Sequence, residues 1–461
     1  MAGPKMSESS EAALAPVPAK ARIDVLDVTR GIAILGIFYI NVPYMAAPIW
    51  QFSADIRSVG WSVADQHAWA FVNLFFAGTQ RCLLELLFGA GMMVIARKAM
   101  DGDGPVAVSD LYYRRNFWLL GFGLFDVFVL LWPGDILHIY ALAALFLFPF
   151  RRLDPKWLMV LGLGWMACCI VGIPEYGARE YAGRTVLVHQ VEAAEARQVA
   201  GAALTETDQK ALADWRKVEA QRTPGPEMRQ RIAEEHAAHK GGLIPYAREA
   251  WGYWGVLAQT WLVWDVVEAF CTMLIGVALW KWQVIQGGRS RRFYLGMLLA
   301  AYGFGITARL IGIGETMAFG PGPRTLWFTA EPARLAMGLG HLALVNWLYQ
   351  TRAGQAALGV FRAPGRMAFS LYFTQQFVGK YILFAPWGLL AWGTFGWAKM
   401  AVISTAGIAL LIVLANAWMQ VFVSGPLEWL WRSLSYVRRQ PLLRRPLNAP
   451  PRPDPGALSA P

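Results

Sequence analysis

A chain of 461 residues that is 56% hydrophobic, only 16% charged and carries 22 tryptophans is too apolar for an ordinary soluble domain, in which about a quarter of residues are charged. Its net charge of +11 does not point to nucleic acid, because Lys and Arg collect in alternate loops, the distribution that orients a membrane protein. Cys82, Cys168, Cys169 and Cys271 all fall in apolar runs without metal-ligand spacing, which argues against a disulfide framework or a cysteine-held metal.

Residues 1–21 are rich in Ala, Pro and Ser and lack a basic start followed by an apolar core, so they read as a disordered cytoplasmic tail and not as a signal peptide. Beyond them, apolar runs near the length that crosses a ~30 Å hydrocarbon core recur along the chain. A β-barrel would need short alternating segments instead. The fold expected is all-α: a polytopic transmembrane helical bundle of about ten spans, over 30–49, 67–95, 116–132, 135–150, 157–175, 251–280, 293–313, 326–349, 366–388 and 397–423. Five spans make an N-terminal half (22–175) and five a C-terminal half (246–440). Between them lies a soluble, helix-prone insertion (176–245), and a Pro-rich tail with a basic start (441–461) closes the chain.

The first span carries a polar stripe. Arg30 and Asn41 are eleven positions apart, so they share a face about 16 Å apart along the axis, with Asp27 just before them. Gly31 and Gly36 leave room for a close neighbour. The same pattern also suits a snorkelling flank and a helix end. In the second span Arg81 and Glu85, at i and i+4, read as an internal ion pair. The loop after it contributes Arg97, Lys98, Arg114 and Arg115, and Asp126 interrupts the apolar third span.

WPGDILHIYAL (132–142) follows. Pro133 and Gly134 suit a tight turn, and Asp135 suits a cap for the fourth helix. His138, three residues on, falls on the same side, and a carboxylate beside an imidazole holds a general base in one tautomer. The residues equally suit a cap followed by an interfacial histidine.

The insertion is helix-prone around 185–200 and 207–220 and interrupted by Pro224 and Pro226. His236 and His239, at i and i+3, have no evident third metal ligand. Further on, the sixth span holds Asp265 and Glu268, the seventh Arg309, the eighth Glu331, Arg334 and His341, and the ninth Gln375 and Gln376. Basic residues cluster before the first span and after the second, fourth, sixth, eighth and tenth. That puts both termini in the cytoplasm and the insertion outside. With this orientation Asn41, Asp126, Asp265, Arg309 and Arg334 lie in the outer half of the bilayer, as a cavity open to the outside or as scattered structural pairs.

RIDVLDVTRGIAILGIFYIN (22–41), LLFGAGM (86–92), GDILHIYAL (134–142), GRMAFSLYFTQQ (365–376) and GPLEWLWRSLSY (425–436) together resemble the YeiB-like family of bacterial inner-membrane proteins, over about 22–440. That family is distantly similar to transmembrane acyltransferases such as heparan-alpha-glucosaminide N-acetyltransferase. The resemblance implies an acyl group passed from cytoplasmic acyl-CoA, as co-substrate, to an envelope or periplasmic acceptor. Arg30 matches the arginine of those enzymes' first helix. The position eleven residues on is Asn41, and Phe52 stands where the heparan enzyme has its catalytic His. The base would then be His138, oriented by Asp135, or failing that His67. Arg30, Asn41, Asp126, Asp265, Glu268, Arg309 and Arg334 are the candidate substrate-binding groups. No bound cofactor or metal is expected, and the bilayer is the expected surrounding. A secondary transporter of a small solute, and a non-catalytic membrane partner or sensor, are the other readings.

Overall fold

The computed structural model describes residues 23–96 and 105–444. The N-terminal tail, most of the C-terminal one, and the basic residues Lys20, Arg22, Arg97, Lys98 and Arg445 lie outside them. The regular structure of the described chain is helical, apart from one isolated antiparallel bridge, Phe422 to Leu443. That bridge holds the first residues of the expected tail, with Val423 N–H on Leu442 O and Arg444 N–H on Val421 O.

Each of the ten expected spans meets helix. Among the described residues five stretches are long and apolar enough to cross a membrane: Asp24–Ala46 (α1), Val63–Ala96, Leu262–Lys281, Arg291–Met317 and Trp397–Val421. Several spans expected as continuous are broken. Val63–Ala96 divides into Val63–Phe75 (α2) and Thr79–Ala96 (α3), with Gly78 at φ +67° in the joint. Arg309 donates to the carbonyls of Asn73, Leu74 and Ala77, satisfying the chain end that the break exposes. The sixth span is two helices, Leu243–Thr260 (α4) and Leu262–Lys281 (α5). The ninth is Ala368–Phe377 (α6) followed by a π-helical turn, Val378–Leu383, and irregular chain.

The insertion forms three helices, not two: Gly177–Val199, Glu206–Ala220 and Pro226–Lys240 (α7). Pro226, read as a breaker, opens the third, because a helix's first turn needs no proline N–H. Glu235 of α7 accepts the N–H groups of Ile49 (2.6 Å) and Trp50 (3.1 Å), and so caps the short helix Ile49–Ala54 that follows α1. His236 Nε2 meets Gln51 Oε1 at 3.0 Å, and His239 stacks on Trp392. The insertion is therefore seated on the helical bundle.

Close backbone approach organises the bundle. A side chain at Gly31 would strike the carbonyl of Phe361, and one at Gly365 would strike that of Asp27. This contact brings GRMAFS onto the start of α1. Gly89 meets the Met273 carbonyl and Gly276 the Leu86 carbonyl, so α3 and α5 interlock in the same way.

Candidate functional site

At the end of the bundle where α1 begins there is a cavity of about 280 Å³. Arg30, Arg115, Arg366 and Arg432 stand around it with Asp27 and Glu428. The two carboxylates are engaged. Asp27 Oδ1 takes Arg30 at 3.0 Å, and Glu428 accepts the N–H of Phe369 (2.7 Å) and of Ser370 (3.2 Å) and the Ser370 hydroxyl (2.5 Å). Glu428 thus caps α6, which is what joins GPLEWLWR to GRMAFS. Arg115 lies over the Trp431 ring at 4.1 Å. The walls are apolar, with Leu84, Phe88, Met92, Leu119 and Phe369 among them, and the far end is closed by Ile136, Tyr140 and Tyr372.

Behind that floor lies the Asp135–His138 pair. Asp135 Oδ2 accepts the His138 backbone N–H (2.9 Å) and meets His138 Nδ1 at 2.7 Å. One oxygen therefore serves as both helix cap and imidazole partner, leaving Nε2 to face another group. Asp135 Oδ1 takes the hydroxyl of Tyr372 (3.0 Å), which itself accepts the Ile136 N–H (3.2 Å). Both members of the pair are buried. Gly123 permits the approach: a side chain there would strike His138 N and Asp135 Oδ2. Asp126 faces the same group, fully buried, close to Asp135 and Tyr372 but with neither oxygen in a well-formed hydrogen bond.

Arg81 and Glu85 do not form the self-contained pair that their spacing suggested. Their own contact, at 3.6 Å, is the longest in a network of six charged residues from three helices. Arg81 binds Glu268 (2.5 Å) and Asp265 (3.4 Å), and Glu85 binds Arg334 (2.9 Å). Arg334 also holds Glu331 (2.6 Å), Glu268 (3.2 Å) and the Thr272 hydroxyl (2.9 Å). A helix surface offers an i+4 neighbour, but three packed helices offered better-aligned partners. Tyr140, on the cavity floor, donates to the Arg81 carbonyl at 3.1 Å.

The polar residues expected in the outer half of the bilayer do not gather in one cavity. Asp265, Glu268 and Arg334 share the network, Asp126 sits with Asp135, and Arg309 is spent on the joint after α2. Asn41 is buried on α1 and lines neither the arginine-rimmed cavity nor the pocket beneath α7. His67 is exposed on α2. His341 meets the Met337 carbonyl and Tyr302, with no contact to Arg334. Gln375 donates to the Ile34 carbonyl (3.1 Å), while the Gln376 side chain makes no hydrogen bond. Among the described residues no group of three or more His, Cys, Asp or Glu could hold a metal ion.

Sequence reasoning passed over Tyr372, Arg115, Arg366 and Arg432. Tyr372 and Arg366 lie within GRMAFSLYFTQQ and Arg432 within GPLEWLWRSLSY, two of the stretches that carry the family resemblance.

An all-α bundle with several membrane-length helices, an arginine-rimmed apolar cavity and buried charge networks defines a multi-pass membrane protein. Residues 279–438 match the family described as protein of unknown function (DUF418). The chain is 28% identical to the uncharacterized protein YxaH of Bacillus subtilis (strain 168), over 94% of this chain and 98% of that one. It is 23% identical to the uncharacterized protein YeiB of Escherichia coli (strain K12), over 91% and 98%. The likeness to both relatives, over nearly the whole of each chain, supports a YeiB-like family. No solved structure matches it.

Proposed function

We propose that the protein transfers an acyl group from acyl-CoA, bound at the end where α1 begins, to an acceptor at the end that carries the insertion. In this reading the protein sits in the bacterial inner membrane with both termini cytoplasmic. One observation carries it: the apolar cavity is rimmed by four arginines, and its floor residue Tyr372 is hydrogen-bonded to the partner of His138. Guanidinium groups suit the phosphates of a nucleotide thioester, and apolar walls suit an acyl chain.

The chemistry balances on the chain's own residues. His138 Nε2 takes the proton of the acceptor hydroxyl or amine as that atom attacks the thioester carbonyl. Asp135 keeps the proton on Nδ1 and favours the imidazolium that forms. The C–S bond then breaks, and the imidazolium returns the proton to the leaving thiolate. Tyr372 lies between cavity and base, so its hydroxyl must swing aside or polarise the carbonyl. The six-residue charge network favours a second reading, a secondary transporter of a small solute, because ionisable groups inside a membrane mark solute and proton paths.

The test is binding and turnover in reconstituted full-length protein. Saturable acyl-CoA binding should be lost in Arg30→Ala and kept in His138→Phe, while His138→Phe and Asp135→Asn should both stop transfer. Full activity of His138→Phe removes it as the base. Absence of saturable acyl-CoA binding overturns the reading and leaves transport.

A further inference from the structure

A second pocket lies under α7, at the insertion end, and is separate from the arginine-rimmed cavity. It is small, about 40 Å³. Its wall includes Pro133, two residues before Asp135. Lys380, in the π-helical turn, reaches into it with only 6% of its surface exposed. The ammonium lies 4.5 Å from the Tyr246 ring centroid; among the described residues it forms no salt bridge, and the charges of Glu235 and Glu249 act on it only from farther away. A buried lysine ordinarily finds a carboxylate, because an unpaired buried charge is costly. Glu235 and Glu249 share the pocket but are committed elsewhere. Glu235 uses both oxygens on Ile49 and Trp50, and Glu249 Oε1 takes the Trp50 indole N–H (3.0 Å), leaving Oε2. The rings of Tyr44, Tyr253 and Trp392 complete the wall.

This charge pattern discriminates. A lone anion on Lys380 would face the acidic groups of Glu249 and Glu235, and a lone cation would face an ammonium. A molecule with both signs a few bonds apart satisfies both ends, with the aromatic rings supporting its ammonium. We propose that this pocket binds a small zwitterion, its anionic group on Lys380 and its ammonium against Glu249. The chemistry is a primary ammonium a few bonds from a carboxylate or phosphate. A free amino acid and the headgroup of an ethanolamine phospholipid both present it. The site is independent of acyl transfer.

The experiment is thermal unfolding of full-length protein in detergent, titrated with glycine and with phosphoethanolamine. Acetate, inorganic phosphate and ethylamine serve as single-charge probes. A parallel arm uses nanodiscs of phosphatidylethanolamine or phosphatidylglycerol. The expected result is a saturable rise in Tm with a zwitterion and none with single-charge probes. The rise should vanish in Lys380→Met and weaken about tenfold or more in Glu249→Gln. A response to the free compounds identifies a soluble ligand, and a response only to phosphatidylethanolamine discs identifies the lipid headgroup. No zwitterion response in either arm, an equal response to single-charge probes, or an undiminished response in Lys380→Met overturns the proposal. Should Lys380→Met fail to fold, Glu249→Gln decides, since its amide oxygen still accepts the Trp50 N–H, and unchanged affinity there overturns the site.

Discussion

The Tyr372 hydroxyl donates to Asp135 across 237 positions of sequence, at 3.0 Å in a buried setting. It ties α6 of the C-terminal half to the turn that carries His138 in the N-terminal half. Tyr372→Phe leaves Asp135 Oδ1 and the Ile136 N–H without this partner. The expected loss is about 1–3 kcal/mol of stability, read as a lower midpoint in denaturant. The change should also loosen the Asp135–His138 geometry, seen as a shifted His138 resonance. An unshifted resonance together with an unchanged midpoint would show that the hydrogen bond contributes nothing.

The charge network makes a prediction opposite to that for an isolated pair. If Arg81 and Glu85 served only each other, exchanging their charges would largely preserve folding. In the network the exchange puts Glu at 81 beside Glu268 and Asp265, and Arg at 85 beside Arg334. The double variant Arg81→Glu, Glu85→Arg should therefore fold worse than either single alanine change. Arg334→Ala should be the most damaging single change, about 3–5 kcal/mol, since it takes a partner from Glu85 and Glu268, leaving them Arg81 alone, and leaves Glu331 without its ion pair. Detergent-solubilised yield and thermal midpoint measure both. Near-native yield of the exchanged double variant contradicts the network.

Seating of α7 on the bundle should depend weakly on pH in the wild type and strongly in two variants. Burial pushes Glu235 up from 4.5 to about 7, against the pull of the Ile49 and Trp50 N–H groups. Docking therefore gains from its proton below 4.5 and loses that gain as pH rises towards 7. Burial pushes His239 down from 6.5 to about 4, helped by the nearby charges of Lys380 and His236. Its contribution is complete above 6.5 and lost as pH falls towards 4. His236 is shifted down as well, by burial and by Lys240. The opposing trends largely cancel. Glu235→Gln should loosen α7 as pH falls below 6.5, and His239→Phe should loosen it as pH rises above 4.5. Hydrogen exchange of residues 226–240 across that range measures both. The same slope in both variants would refute the assignment.

Orientation is open to direct measurement. Reporters fused after Arg114 and after Arg439 should read cytoplasmic, and one at Gly201 periplasmic. A cytoplasmic reading at Gly201 would reverse the ends assigned to donor and acceptor.

How much the sequence determined depends on the range of each interaction. Apolar runs of membrane length and loops rich in Lys and Arg are local properties, so the helical bundle and the insertion were legible residue by residue. So was the Asp135–His138 contact, because three residues along one helix start leave little freedom. Tyr372 as the second partner of Asp135, Arg334 as the partner of Glu85, and Lys380 facing the insertion were not. Each depends on which faces of distant helices meet, and that was decided by glycine-mediated backbone approach at Gly31 and Gly365, Gly89 and Gly276, and Gly123. Charge offers the clearest contrast. Sequence spacing paired Arg81 with Glu85 because they are neighbours on one helix. Tertiary packing gave both better partners, because a buried charge is satisfied by whichever opposite charge the fold brings into line, however far away along the chain.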